Sequence, residues 1–572
     1  MLIDAREVPD GSTINTDVCV VGGGPAGLTL ALELARNGTR VALMESGGAD
    51  FDASTQSLCD GTTTGDPFKN LGEARRRQLG GTAHLWDTRL TDGKQGFRGA
   101  PMDPIDFEQR DWIPHSGWPF GRAQLDKFYA RAQKVCGFGP YDYSVATWQR
   151  PDTPPLPLDP EVVATGILQF GSQSLFTQEY PAEIAHSSAI TAYVHANVVE
   201  IETSETGAVA TGLRVACLNG AGFRVRARYF VLATGGIENA RLLLISDRVQ
   251  RGGLGNQHDI VGRYFMEHQY IWTGRLTPHD RSIFDRAALY DERDVDGTVV
   301  MGNLHLTEAA MRSNQLLHSS LALVPQHKRS ARFSQEAVDS FSTLVSSALH
   351  LRVPENAGGH LREVLSHLDY VAIAAIRKAS KQRLFEYRGR GPGLLDGGGW
   401  WSLPDKSRRF AAFDVILHGE QAPDPENRVK LGDDRDALGC RTAMLQWRWR
   451  ERDIDNVLRS QALLAAEVKK SGFGVLRVDL QDGRPTLMLP GLHHHMGTTR
   501  MHPDPKQGVV DANGRVHGVA NLFVMGCSVF PTGGYINPTL TIVALAIRTA
   551  DHVGEMLASS ESGQVAASAA LP

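Results

Sequence analysis

Asp17-Val18-Cys19-Val20-Val21-Gly22-Gly23-Gly24-Pro25-Ala26-Gly27 decides the fold of this 572-residue chain. The near-continuous apolar run before Gly22 is a strand buried on both faces, and Pro25 opens a helix predicted over 25–37 and ended by Gly38. Arg40-Val41-Ala42-Leu43-Met44-Glu45 is then the second strand of a βαβ unit. Gly22 permits the tight turn, Gly24 lets backbone approach a phosphate, and Gly27 lets the helix lie close to the strand. Amides at the helix start face an anion, and Glu45 can accept a hydrogen bond from a ribose hydroxyl. A lone GxGxxG is a common strand-turn-helix. With the strand before it, the helix after it and the acid ending strand two, it reads as a dinucleotide site. These residues alone do not separate FAD from NAD.

Working outward, 572 residues exceed what one core usually holds, so two or three lobes are expected. Apolar residues at 42% and charged residues at 22% place the chain among globular proteins. A net charge of -5 supplies no basic footprint for nucleic acid or an anionic membrane, and a small neutral substrate fits better. Six cysteines (19, 59, 136, 217, 440, 527) lack CxxC or Cys/His spacing and read as reduced thiols. The opening residues carry no secretory pattern and no run is long enough to span a bilayer, so a cytoplasmic protein without membrane attachment is expected.

The fold class expected is α/β: a discontinuous Rossmann-like cofactor domain plus an α+β substrate domain with an antiparallel sheet. Residues 1–90, 190–270 and 491–560 are assigned to the first. Phe223 to Leu232 reads as a strand entering Ala233-Thr234-Gly235 and a helix, Tyr193 to Ile201 as one further strand, and Asn521 to Ser528 as another, followed by a helix from about Pro538 to Met556. Residues 91–189 and 271–490 are assigned to the substrate domain. In residues 91–190, rich in Pro, Trp and Gly, one helix is predicted, at Arg122–Val135; the alternating pattern of 271–490 suggests an antiparallel sheet with helices on one face. An insert at 325–410 holds a predicted helix, Leu361–Leu384, and a glycine run ending in Trp400 and Trp401. It reads equally as a lid or oligomer contact and as a surface excursion packed by its own aromatics. Residues 561–572 read as a flexible tail.

His493-His494-His495 invites a metal reading, but adjacent side chains diverge in regular structure and no carboxylate or cysteine follows at ligand spacing, so no metal is expected. Asn537 before Pro538 is, taken alone, a routine helix cap. Asp414 to Gln421 is a strand whose alternate residues should face a pocket, with Glu420 and Gln421 suited to a polyhydroxylated ligand and one of them able to bridge the lobes instead. Trp86, Trp118, Trp400 and Trp401 could serve as platforms for a ring or as core.

Seven further motifs occur in order behind the glycine turn: Leu79 to Trp86 (LGGTAHLW), Gly117-Trp118-Pro119, Val231 to Arg241 (VLATGGIENAR), Val261 to His268 (VGRYFMEH), Glu420 to Arg428 (EQAPDPENR), His495 to Met501 (HMGTTRM) and Asn537 to Thr541 (NPTLT). In these the chain resembles the glucose-methanol-choline (GMC) oxidoreductases, specifically their bacterial sugar-oxidising branch related to pyranose oxidase. The resemblance implies FAD, with Gly22, Gly24, Gly27, Glu45, Gly80, Gly81, Thr82, Val198, Gly235, Pro538 and Thr539 as cofactor-binding positions. It puts His494 where the family has its proton-handling histidine and Asn537 where it has the second member of the pair. His268 falls near the flavin as a cap of its segment. An alcohol surrenders hydride readily only as its hydroxyl proton leaves; a neutral imidazole within about 3 Å can take that proton. An amide donor steadies the oxygen, and flavin N5 takes the hydride.

One departure matters. Pyranose oxidases tether flavin to a histidine directly before the tryptophan of the LGGTAHLW motif; here that position is Leu85, with His84 one place earlier. Non-covalent FAD is therefore expected. The expected activity is oxidation of a hydroxyl on a sugar, glycoside or polyol, with O2 or another acceptor reoxidising the cofactor and a homo-oligomer as an added expectation. An amino-sugar or other natural-product alcohol, and a hydroxynitrile-lyase-like reaction, are the competing readings.

Overall fold

A computed structural model describes the chain except for residues 87, 91, 328–334, 350–351, 355, 367, 369–370, 372–399, 490–492 and 570–572. Thr13–Val21 is a strand and Pro25–Arg36 a helix, with Val18 to Val21 buried. A methyl group on Gly27 would stand 1.9 Å from the Gly22 carbonyl oxygen, so helix and turn approach this closely only because the side chain is missing. Val41–Met44 follows as the second strand.

The cofactor-side sheet runs Leu2–Asp4, Ile190–Val194, Val41–Met44, Thr13–Val21, Gly222–Leu232, Ala210–Ala216, Asn197–Thr203, and Leu522–Val524 lies beside Gly222–Leu232. Pairing is parallel from Leu2–Asp4 to Gly222–Leu232 and with Leu522–Val524; the last two pairings form an antiparallel meander. The single strand expected over Tyr193–Ile201 is in fact two. His195 adopts a left-handed φ of 58° and turns the chain between Ile190–Val194 and Asn197–Thr203. Two linking residues reach only about 7 Å, so the meander must fold back over the sheet for its third strand to begin there.

A second, wholly antiparallel sheet runs Arg484–Leu489, Gln269–Pro278, Phe410–Gly419, Ser319–His327, Thr298–Leu306, Val163–Ser172, Gln95–Gly99, with Thr88–Arg89 at the edge and Gly474–Val478 also on Gln269–Pro278. The fold class is thus the expected α/β arrangement with an antiparallel second sheet. Val457, Leu464 and Val468 of the helix Glu451–Lys470 join Phe413, Val415 and Leu417 in its core. Val163–Ser172 went unread because Thr165, Gly166, Gln169 and Gly171 break the alternation; its register comes from seven paired positions on Thr298–Leu306. Arg428–Arg435 and Arg441–Trp447 form a third small sheet with Gly61–Gly65, stitching the two sides together.

The insert leaves Ser319–His327 and returns through Phe410–Gly419, with helices at Gln335–Leu349 and Ala357–Ser366. The helix expected over Leu361–Leu384 thus begins earlier and its described part ends at Ser366. Most of its remainder, and the glycine run before Trp400, lie outside the described residues. The last helix runs Thr539–Ala569, past both the Met556 end and most of the tail expected over 561–572; residues 570–572 lie outside the described residues. No described helix is long and apolar enough to cross a membrane.

Candidate active site

Backbone builds the cofactor groove. Gly22, Gly24, Glu45, Gly81, Thr82, Val198, Gly235, Pro538 and Thr539 line a groove of about 1510 Å³ including its open mouth. Gly27 and Gly80 shape it from behind: Gly80, at φ 101°, donates its N–H to the Gly23 carbonyl at 2.8 Å. That bond brings the second glycine turn against the first, and a methyl on Gly81 would meet the Gly24 Cα at 2.8 Å. The carboxylate of Glu45 accepts the Gly23 N–H on Oε2 and the Gly47 N–H on Oε1, each at 2.7 Å. Burial pushes its carboxyl above the ordinary range while those amides pull the other way. Oε1 also accepts the Ser46 hydroxyl at 3.2 Å, which leaves a lone pair on Oε2 to accept a ribose hydroxyl. The start of the helix Pro25–Arg36 at one end and a carboxylate at the other fit the pyrophosphate and ribose of FAD.

His84 does not enter this groove. Its Nε2 lies 2.9 Å from the Leu79 carbonyl, and neither His84 nor Leu85 is among the lining residues.

Three separated segments meet at the groove's inner end. Met266 and Met496 form an isolated antiparallel bridge, and Gly497, at φ 85°, lets the chain pass where a Cβ would stand 2.2 Å from the Tyr264 carbonyl oxygen. Oε1 of Glu267 accepts the backbone N–H of both His268 (3.1 Å) and His494 (2.9 Å), fixing the two segments in register. The rings of His268 and His494 therefore meet, Nδ1 to Nδ1, at 2.9 Å. Nε2 of His494 faces Asn537 Nδ2 at 3.5 Å, the outer limit of a hydrogen bond. Asn537 thus turns to the histidine, and the helix it precedes starts at Thr539.

The proton positions follow by elimination. Nε2 of His268 lies 2.9 Å from the Gly534 carbonyl, which only accepts, so that nitrogen carries hydrogen. Burial lowers His268 to about 4, so its ring is neutral near pH 7 and its Nδ1 is a lone pair. The proton in the Nδ1–Nδ1 contact consequently belongs to His494, whose Nε2 is left bare. Burial first, then neighbouring His268, holds His494 well below the ordinary imidazole range.

The histidine triplet diverges as expected. His493 Nδ1 lies 2.7 Å from the Ala74 carbonyl, His494 turns to His268, and His495 packs against Phe68 and Phe265. The rings that do converge, with nitrogens within 4.8 Å, are His268, His418 and His494, from three segments.

The substrate-side expectation needs correction. Glu420 is locked in a fully buried pair with Arg110, Oε1 to Nη2 at 2.6 Å and Oε2 to Nη1 at 2.9 Å. Burial would raise its carboxyl, but Arg110 overcomes that and holds it below the ordinary range. Gln421 accepts from the Glu267 N–H and the Trp447 indole and donates to the Arg448 carbonyl. Both residues lie past the end of the strand Phe410–Gly419 and join structural parts. The strand does face a small cavity, with room for about one water, through Ile416 and through His418 two residues before Glu420. Asn537 lines that cavity too, so His494 and Asn537 stand between groove and cavity. Trp86 lines the groove beside Phe97, whereas Trp118 and Trp400 are core. The reading of the sequence missed His418, Arg98 and Asn303 in the cavity; only the alternation of Asp414 to His418 carried any signal.

A Rossmann-type groove thus ends beside a histidine–asparagine pair. Residues 15–139 match an FAD binding domain and residues 423–546 match a GMC oxidoreductase domain. These two matches mark the chain as an FAD-dependent oxidoreductase that carries a GMC oxidoreductase domain. It is 24% identical to 2-methyl-1,2-propanediol dehydrogenase of Mycolicibacterium austroafricanum, over 95% of this chain and 96% of that one. It is 24% identical to 6'''-hydroxyparomomycin C oxidase of Streptomyces lividus, over 96% and 93%. It is 29% identical to C-glycoside 3-oxidase of Arthrobacter globiformis, over 44% and 46%.

Proposed function

We propose that the enzyme oxidises a hydroxyl group of a sugar, glycoside or related polyol to a carbonyl, with His494 as the base. The observation that carries this is the bare Nε2 of His494, held 3.5 Å from the Asn537 amide where groove and cavity meet. A substrate hydroxyl bridging these groups would donate to His494 and accept from Asn537. The amide then stabilises the growing negative charge on oxygen without adding a competing charge. As the O–H bond breaks, its proton passes to His494 Nε2; the C–H bond breaks with its electron pair, and the C=O bond forms. FAD, when bound, supplies the two-electron acceptor. His268 accepts from Nδ1–H throughout, so the imidazolium keeps a partner for its second proton.

The glycoside-oxidising relative favours a sugar ring; the paromomycin relative, aligned over nearly the whole length, favours an amino sugar as the second reading. Anaerobic mixing with sugars and glycosides should bleach the flavin in wild type, and His494→Ala should slow bleaching by about 10²- to 10⁴-fold. Product formed without any bleaching would point to a lyase, and unchanged bleaching in the variant would remove His494 from the chemistry.

A further inference from the structure

The turn between Val529 and Thr539 carries two groups of the site: the Gly534 carbonyl, which receives the Nε2–H of His268, and the side chain of Asn537. Residues 530–538 form neither helix nor strand, and Gly533-Gly534 gives the backbone maximal freedom. Its position must come from what it lies on, and it lies on Asp106. The Thr532 hydroxyl donates to the Asp106 carbonyl at 2.6 Å and accepts from the Trp118 indole at 3.0 Å. A methyl group on Gly534, at φ 57°, would stand 2.6 Å from Asp106 Oδ2, so only hydrogen separates the turn from the carboxylate.

Asp106 is fixed from its other side. It is fully buried, its Oδ2 accepts the Asp103 N–H at 3.1 Å, and its Oδ1 faces His318 Nδ1 at 2.8 Å. His318, 212 positions away and 1% exposed, donates its backbone N–H to Glu420 Oε2 at 3.1 Å. Asp103 Oδ2 stands 3.5 Å from its Nε2, the His305 ring lies 6.0 Å off, and Tyr535 of the turn meets its ring edge-on with centroids 4.4 Å apart. Burial works to strip the imidazole of its proton, but Asp106, then Asp103 and Glu420, outweigh it and hold His318 above the ordinary range. Arg110, Glu420, His318 and Asp106 thus alternate in sign through the interior and end at the turn.

Such a row is weak evidence for stability, because well-packed apolar residues in place of buried ions often leave a protein as stable or more so. A fully bonded polar network supplies fixed position instead. We infer that Asp106 and His318 are positioning residues of the active site, holding the turn so that the Gly534 carbonyl and Asn537 reach the two imidazoles. With His318 gone, Asp106 is a buried anion without its partner. Its carboxylate must rotate or draw in water, and the glycine resting on it moves with it. A displacement of about 1 Å at a reacting centre costs on the order of 10²-fold in rate. The inference rests on the base and amide of the proposed function, whichever alcohol is the substrate.

The test compares flavin-loaded wild type, His318→Phe, His318→Asn and Asp106→Asn by anaerobic flavin reduction. The probes are D-glucose, methyl β-D-glucoside, myo-inositol and 2-methyl-1,2-propanediol. Phenylalanine keeps a ring against Tyr535 without a donor, whereas asparagine returns an N–H near the place of Nδ1. Asp106→Asn keeps the shape but sets a donor against either His318 Nδ1 or the Asp103 N–H. With the probe that reduces wild type best, the limiting rate should fall about 10- to 100-fold in His318→Phe and Asp106→Asn. Half-saturation should change less than about threefold, as expected when only the transition state is affected. His318→Asn should recover most of the lost rate. A pair serving stability alone would lower the melting temperature and leave the limiting rate in place. Should His318→Phe not fold, Asp106→Asn decides by the same split. Unchanged rates, equal loss from Phe and Asn, half-saturation rising as far as the rate falls, or release of the flavin from folded variants each overturn this inference and leave the proposed function standing. Reduction of wild type by the diol alone removes sugars from the proposed function while the positioning test still runs. Failure of all four probes to reduce wild type overturns the proposed function and this inference with it.

Discussion

His268 sets the tautomer of the base, and removing it tests the proton assignment. In His268→Ala the Nδ1–H of His494 loses its acceptor 2.9 Å away inside a buried site. A buried donor left unsatisfied costs about 1–3 kcal/mol. The ring can escape that cost by turning or by moving its proton to Nε2, and either change withdraws the lone pair from the substrate. At about 1.36 kcal/mol per factor of ten, flavin reduction at saturating substrate should fall roughly 5- to 150-fold. The half-saturating concentration should change little, because His268 faces the base and not the reacting hydroxyl. His268→Asn offers a carbonyl oxygen near the position of the lost Nδ1 and should recover much of the rate. Stopped-flow reduction of the anaerobic holoenzyme over pH 5–9 is the assay. A wild-type rate in His268→Ala, or equal damage from Ala and Asn, would refute the assignment.

Burial holds His494 well below the ordinary imidazole range, so it keeps its lone pair in solutions that would protonate a free histidine. The limiting rate of flavin reduction should therefore stay level as pH falls through 6.5 and decline only in more acidic solution; half-maximal rate at or above pH 6.5 would contradict this. Arg110→Met or Glu420→Gln each strand the other charge of a fully buried pair and should cost about 3–5 kcal/mol in denaturant unfolding. Arg110→Met with Glu420→Leu together should cost less than the two single losses added; strict additivity would count against their coupling. With His84 held at the Leu79 carbonyl, acid precipitation should leave flavin in the supernatant, whereas a yellow pellet would reveal a covalent bond.

The glycine turn was legible because its physics is local. Gly27 is required by the Gly22 carbonyl five positions away and Gly22 by Ala233 at the end of the adjoining strand, and Glu45 ends a strand whose burial is written in four consecutive apolar residues. Tyr193 to Ile201 misled because its β-branched alternation runs unbroken through a turn that only His195's left-handed backbone reveals. Glu420 and Gln421 misled for a different reason. Their chemistry suits a sugar, yet Arg110, some 310 positions away, claims the first, and the Glu267 amide and Trp447 indole claim the second.

By itself the sequence determined the dinucleotide turn, the α/β class and the positions of His494 and Asn537, since short-range pattern and motif order specify each. Only tertiary structure decided which nitrogen of His494 is bare, because that depends on His268 and the Gly534 carbonyl, groups brought together by the bridge between Met266 and Met496. It also decided that Arg98, Asn303 and His418 share a cavity: strands from distant parts of the chain must pair before their side chains have a common space to face.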